Sequence, residues 1–109
     1  MDIRHHTPQI GICGQISPDD IPALVKSGYR LLICNRPDGE EPGQPGFALI
    51  AAAASAAGIG ALHLPVSGPA DIAAQAPALA GALRNAPGPA LLWCRSGARS
   101  SALCAAAGV

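Results

Sequence analysis

The sequence predicts a three-layer α/β domain, a four-stranded and mainly parallel sheet with helices on both faces. Two observations carry this expectation. Short apolar runs alternate with longer alanine-rich stretches, the order that repeated strand–helix units produce. The runs are continuously apolar rather than alternating, as parallel strands covered on both faces should be. Composition sets the scale. A length of 109 residues allows one domain, and half the residues are apolar, yet Phe, Tyr and Trp occur once each. The core must then be built from Ala, Leu, Ile and Val, side chains small enough to let helices approach a sheet closely.

The elements follow in order. Ile10–Cys13 is a first strand. Ser17-Pro18-Asp19-Asp20 starts a helix, with Ser17 as N-cap, Pro18 at the first helical position and two acids against the positive end of the dipole. That helix runs to about Ser27, where Gly28 supplies the left-handed stop. Leu31–Cys34 is a second strand, and Arg36–Gly46, with three prolines and three glycines, is a charged loop directly behind it. Phe47–Ala57 is a helix closed by Gly58, and Ala61–Pro65 a third strand. Ala70 to about Asn85 is an alanine-rich helix in which Pro77 should cause a kink or a split, since an interior proline costs roughly 3 kcal/mol. The Ala86-Pro87-Gly88-Pro89 turn leads into a fourth strand, Ala90–Trp93, and a last helix opens at about Ser100. In such sheets ligands sit at the carboxyl ends of the strands. Cys13, Asn35-Arg36, His63-Leu64-Pro65 and Cys94 all fall there.

Seven basic residues balance seven acidic ones and the pI is near 6.8, which argues against a nucleic-acid partner. The apolar stretches are too short and too broken by Gly and Pro for a membrane span. No hydrophobic segment follows Met1-Asp2-Ile3-Arg4-His5-His6, so the expected location is cytoplasmic, and His5-His6 reads as a polar N-terminal segment. The four cysteines, Cys13, Cys34, Cys94 and Cys104, lack the paired spacing of a zinc site. Neither a metal nor a cofactor is expected. In a reducing compartment the cysteines should be free thiols. Cys13, Cys34 and Cys104 read as core residues, although Cys13 and Cys34 share a sheet edge with Cys94 and either could form a protective disulfide with it.

The chemistry is concentrated in Leu91-Leu92-Trp93-Cys94-Arg95-Ser96-Gly97-Ala98-Arg99-Ser100. A cysteine ends an apolar strand, a glycine-containing loop follows, and a helix begins. Backbone N–H groups of a tight loop around a helix N-terminus form a nest for an anion. Gly97 permits the backbone angles such a loop needs, and Arg99 can grip two oxygens in a bidentate fork. The same field stabilises a thiolate, which makes Cys94 a nucleophile at neutral pH. Ser100 could hydrogen-bond the sulfur and steady it as a leaving group. Arg95, Ser96, Gly97 and Ala98 complete the anion-binding loop, with Arg95 directed outward.

This loop resembles the active-site loop shared by cysteine-based phosphatases and rhodanese-type sulfurtransferases. Tyrosine and dual-specificity phosphatases place five residues between cysteine and arginine, whereas here there are four, as in rhodaneses, whose smaller cradle holds a cysteine persulfide. Gly14-Gln15-Ile16-Ser17-Pro18, Asn35-Arg36-Pro37-Asp38-Gly39-Glu40-Glu41, His63-Leu64-Pro65-Val66 and Cys94-Arg95-Ser96-Gly97 together resemble a bacterial family, the phosphatase-like domain of the β-lactamase-hydrolase-like proteins, also labelled a sulfurtransferase family. The resemblance implies a tyrosine-phosphatase-like fold. It also implies further helices beyond the loop helix, which this 109-residue single domain lacks, and some relatives fused to a persulfide dioxygenase domain. A homo-oligomer or a separate persulfide dioxygenase partner would fit that expectation.

The leading expectation is a persulfide sulfurtransferase: Cys94 takes sulfane sulfur from a small anionic donor and passes it to a thiol acceptor. The alternative is a phosphatase acting on phosphoesters through a cysteinyl-phosphate. A third reading is an anion-binding module or pseudoenzyme without turnover. A phosphatase needs a general acid. Asp71 lies roughly where dual-specificity enzymes carry theirs, though aspartate is also a preferred helix cap there. Asp38, in Pro37-Asp38-Gly39, is the other candidate, with a turn-forming role as its rival. Arg36 could add positive charge to the mouth of the site or pair with Asp38, Glu40 or Glu41. His63, in an apolar strand, reads as a hydrogen-bonded structural histidine.

Overall fold

The computed structural model describes residues 1–109. Its elements are β1 (Arg4–Thr7), β2 (Ile10–Cys13), α1 (Ile21–Lys26), β3 (Leu31–Cys34), α2 (Phe47–Ala56), β4 (Gly60–His63), α3 (Pro69–Arg84), β5 (Ala90–Trp93) and α4 (Ala98–Ala107), with one 3₁₀ turn, Pro18–Asp20, leading into α1. They form an α/β fold around a five-stranded sheet of order β1-β2-β5-β3-β4. Four strands are parallel and β1 runs antiparallel to β2 at one edge.

Strand β5 lies at the centre, flanked by β2 and β3, which pair Cys13 and Cys34 with the same residue, Trp93. Its side chains divide by the period of two. Leu91 and Trp93 join Cys13, Ile16, Leu24, Leu32, Cys34 and Ile50 in the core under α1 and α2. Ala90 and Leu92 join Ile12, Ile33, Leu79, Leu103 and Cys104 in the core under α3 and α4. Covered on both faces, β5 is buried at every position, which is why its run is apolar throughout.

The start of the first helix follows its sequence signal: Ser17 is extended and its N–H donates to Asp20 Oδ2 at 2.9 Å, one arm of a capping box. Several features differ from expectation, among them the strand expected over Ala61–Pro65, which spans Gly60–His63. The sheet has a fifth strand, β1, over the segment read as a polar terminus. The last helix begins at Ala98, two residues early, because Gly97 at φ 97° is its N-cap. Helix α3 runs through Pro77 without splitting. Pro77 and Ala73, whose carbonyl loses its partner, are both exposed, so the freed group is open to solvent rather than buried.

The sheet edge that carries the site is tied together by Asn35, which is fully buried. Its N–H donates to the Trp93 carbonyl at 2.8 Å and its side-chain amide to the Leu64 carbonyl at 2.9 Å. Its Oδ1 accepts from Ser100 Oγ at 2.8 Å. One residue thus fixes the ends of β3 and β5 through its backbone, and the segment after β4 and the first turn of α4 through its side chain.

Candidate active site

Cys94 is the first residue past β5 and is 1% exposed, on the floor of a loop that wraps over it into α4. The Gly97 N–H donates to Cys94 Sγ at 3.0 Å. Burial pushes the thiol up, but hydrogen bonds from the backbone N–H groups of Ser100, Ser96, Gly97 and Arg99 outweigh it, and the net result lies below the ordinary thiol value. The loop therefore does to sulfur what an anion nest does to a phosphate. The other three cysteines lack such donors. Burial drives Cys13 and Cys34 up to about 12 and Cys104 up to about 11. Brief treatment with iodoacetamide at neutral pH should accordingly place a single adduct, on Cys94, in the native protein, and adducts on all four cysteines once it is unfolded. Equal labelling of Cys13 or Cys34 in the native protein would contradict this electrostatic picture.

Two glycines let the loop close. Gly97 holds a left-handed backbone, and a Cβ there would stand 3.3 Å from Ile12 Cγ2. Gly14 lies against the loop's outer turn: a Cβ would fall 2.8 Å from the Arg95 carbonyl oxygen, and the next N–H, that of Gln15, donates to that oxygen at 3.4 Å. Backbone cannot yield as a side chain can. Gly14→Ala should cost about 1–3 kcal/mol in overpacking and lower turnover by displacing the loop. A thermal melt beside an activity assay checks it, and unchanged values for both would show that the loop does not depend on this contact.

Arg99 enters from the first turn of α4. Its Nη1 donates to Glu40 Oε2 at 2.7 Å and to the Val66 carbonyl at 2.9 Å, and its Nη2 donates to Glu40 Oε1 at 2.8 Å. A guanidinium has five N–H groups. With three used, the Nε–H and the outer Nη2–H remain for the Cys94 side, where the guanidinium also interacts with the sulfur, and these two form the parallel fork that suits two oxygens of one phosphoryl or sulfuryl group. Glu40 also accepts from Arg36 Nε at 2.9 Å. Arg36, 1% exposed, donates through Nη1 to Gln15 Oε1 at 3.1 Å and through Nη2 to Glu41 Oε1 at 3.0 Å. Hydrogen bonds from Arg99 and then Arg36 hold the Glu40 carboxyl down at about 2. Gln15, Arg36, Glu40 and Arg99 make a chain from behind the sheet edge to the mouth of the loop.

Several expected roles change. Arg36 takes the pairing alternative, joined to Glu40 and Glu41 as a buried strut behind Arg99, rather than a place at the mouth. The Ser100 hydroxyl turns away from Cys94 to donate to Asn35 Oδ1, and it is the Ser100 backbone N–H that serves the sulfur. Asp71 Oδ2 accepts from the Ser67 N–H at 2.8 Å, closing the start of α3. Asp38 Oδ1 accepts from the Phe47 N–H at 2.9 Å, closing the start of α2. Both carboxylates thus take the capping alternative at a helix start rather than the acid's role. Arg95 is 70% exposed and reaches Glu41 only at 3.8 Å, so it does face outward, while Ser96 rims a shallow cleft with Asp2, Ile3 and Arg4. His63 stacks on Phe47 with ring centroids 4.7 Å apart, and its Nε2 lies 2.9 Å from the Arg36 carbonyl, a structural placement. The residues that sequence reasoning gave no role in the site, Gly14, Gln15 and Glu40, lie within the motif segments. What marked them was their company rather than their own chemistry.

Residues 2–108 match the family described as "Beta-lactamase hydrolase-like protein, phosphatase-like domain". The chain belongs to this family. It is 40% identical over 95 residues to the beta-lactamase hydrolase-like protein of Agrobacterium fabrum, a match covering 87% of this chain and 22% of that protein. The chain thus spans about a fifth of the length of the curated relatives it matches. Among solved structures it is similar to a candidate phosphatase from Neisseria meningitidis, with a TM-score of 0.77 and 29% identity over 94% of this chain and 86% of the other. It shares its fold with TpbA of P. aeruginosa, solved in complex with pTyr, at a TM-score of 0.60 and 16% identity over 87% of this chain and 54% of that one. The family name and these neighbours favour the phosphatase alternative over the sulfurtransferase reading that the loop spacing put first. No helix of the phosphatase-like domain is long and apolar enough to cross a membrane.

Proposed function

We propose that the domain is a cysteine-dependent phosphatase. The observation that carries this reading is Cys94 Sγ on the floor of the loop, bonded by the Gly97 N–H at 3.0 Å and drawn below the ordinary thiol value by the loop N–H groups, with Arg99 held beside it by Glu40. The Cys94 thiolate attacks phosphorus, the leaving-group oxygen departs, and a cysteinyl-phosphate forms. Water then attacks phosphorus, releasing phosphate and restoring the thiolate. Arg99 and the loop N–H groups bind the equatorial oxygens, and because they are already placed they cost no reorganisation as charge shifts.

Since Asp38 and Asp71 are engaged as caps, neither stands ready as a proton donor. Substrates whose leaving oxygen needs no proton are favoured, so kcat/KM for an aryl phosphate should exceed that for an alkyl phosphate by more than their difference in solution. Equal handling of both would point to an acid that acts in spite of its cap. Sulfur transfer is the second reading. The four-residue spacing and the lack of a free acid favour it, since transfer between persulfide and thiol requires no acid. Intact mass after rapid acid quench separates the two. A phosphoryl adduct formed from an aryl phosphate supports the phosphatase, whereas a one-sulfur adduct from thiosulfate, with none from the ester, replaces it by the persulfide carrier.

A further inference from the structure

We propose that Asn35 is a positioning residue of the active site: its side-chain amide holds the first turn of α4 and the segment after β4, so that the Ser100 N–H faces Cys94 Sγ and the Val66 carbonyl faces Arg99. The residue is fully buried, and its partners fix the orientation of the amide. The Leu64 carbonyl can only accept, so the NH2 group lies on that side, at 2.9 Å. The amide oxygen then faces Ser100 Oγ at 2.8 Å, and the hydroxyl must donate to it. A hydroxyl has one proton, so none is left for the sulfur, and Ser100 serves Cys94 through its backbone.

Asn35 reaches the other half of the site along the main chain. Its carbonyl accepts from the Val66 N–H at 2.9 Å, and the Val66 carbonyl accepts from Arg99 Nη1 at 2.9 Å. Leu64 and Val66 belong to one segment, so the amide and the carbonyl of Asn35 grip that segment at two points. The Asn35 N–H meanwhile bonds the Trp93 carbonyl at 2.8 Å, in the peptide unit that joins Cys94. Nucleophile, N–H donor and arginine therefore share one anchor, although no hydrogen bond joins Asn35 to the sulfur. Among side chains of this size only a primary amide fits. A carboxylate would set an acceptor against the Leu64 carbonyl, and an apolar side chain would leave that carbonyl and the Ser100 hydroxyl unpaired in the interior.

This role rests on Cys94 being the reactive thiolate of the proposed function, not on which group it transfers, so its test reads alkylation and not turnover. The rate at which iodoacetamide labels Cys94, followed by peptide mass, is measured against pH in the parent, Asn35→Ala, Ser100→Ala and the double variant. The groups coupled electrostatically to Cys94 are Arg99 on α4 and the Cys13 and Cys34 thiols on β2 and β3. Arg99 stays charged, and the two thiols, which burial pushes up to about 12, stay protonated through the neutral range, so the midpoint reports Cys94. Each single variant should move that midpoint upward by about one pH unit, the scale of one hydrogen bond, and the double variant no further than Asn35→Ala. Inorganic phosphate slows the labelling by filling the loop. The concentration that halves the rate should rise several-fold in Asn35→Ala and less in Ser100→Ala, because only the first also loosens the segment bonded to Arg99. Asn35→Leu, which fills the same volume without polar groups, replaces the alanine variant should its cavity unfold the domain, and Ser100→Ala deletes a single hydroxyl. A parent midpoint no lower than that of an ordinary thiol would be the failure of the reactive-thiolate reading. Asn35 fails separately: an unchanged midpoint in a folded variant, a midpoint that falls in Asn35→Ala because the freed hydroxyl turns to the sulfur, or a double variant that sums the two singles would each overturn the assignment.

Discussion

Cys94→Ser should lower turnover by roughly four to six orders of magnitude, the scale at which loss of a nucleophile is felt in covalent catalysis, while leaving the fold and the affinity for phosphate in place. The loop explains both halves. Four N–H groups and Arg99 bring a thiol below its ordinary value, but an aliphatic hydroxyl starts so much higher that the same field leaves it protonated and inert. The replacement keeps size and an acceptor for the Gly97 N–H, which now bonds to Cys94 Sγ at 3.0 Å, so no buried donor is orphaned and the stability change should stay within about 1 kcal/mol. Phosphate should bind at least as well, because the thiolate charge that repels it is gone. Steady-state kinetics on an aryl phosphate and a phosphate-dependent thermal shift measure the two halves separately. Residual activity near that of the parent would remove Cys94 from the mechanism. Phosphate binding by a parent that turns over nothing would instead leave the domain as an anion-binding module.

What could be read from the sequence was whatever a short segment decides by itself. The apolar run Leu91-Leu92-Trp93, then Cys94, Gly97 and Arg99, specifies strand, nest and fork locally, and it folds as expected. Strand β1 was not legible because its side chains are exposed or half-buried. An edge strand held by backbone pairing to β2 needs no apolar pattern, so Arg4-His5-His6-Thr7 looks like a tail. Asp71 was placed correctly at a helix start, but only the folded chain shows it at the third helical position reaching back to Ser67. Ser100 lies next to Arg99 in sequence, yet the acceptor that claims its hydroxyl, Asn35, is 65 residues away. The same holds for the pairing of Glu40 with Arg99, 59 residues apart. Long-range polar pairing follows from topology, and no periodicity in the chain encodes it.

That pairing gives the second large effect. Glu40→Gln should cost about 2–4 kcal/mol, near the lower end of the range for breaking a buried ion pair, because Glu40 is 29% exposed while Arg36 is 1% exposed. The one amide oxygen of Gln can still take Arg36 Nε and Arg99 Nη2 as Oε1 does now, but its NH2 would face Arg99 Nη1, donor against donor, and the Arg36 charge stays buried with Glu41 as its remaining anionic partner. Arg99 then loses the end-on clamp that turns its free fork toward the loop. Misplacement of such a group by about 1 Å costs on the order of a hundredfold, so kcat/KM should fall by about that factor although Glu40 touches no reacting atom. A purely structural role would stop at the melting temperature. Acid titration adds an independent readout. The Glu40 carboxyl is held at about 2 in the folded protein against 4.5 ordinarily, a depressed value. Its contribution is therefore complete above about pH 5 and is lost as pH falls from there toward 2, amounting to about 2 kcal/mol once partial solvent screening is allowed for. The parent should lose stability steeply across that window and Glu40→Gln much less, so that the two unfolding curves converge near pH 2. Parallel curves would mean that Arg99 is oriented by Val66 and the helix alone, and that Glu40 is dispensable to the fork.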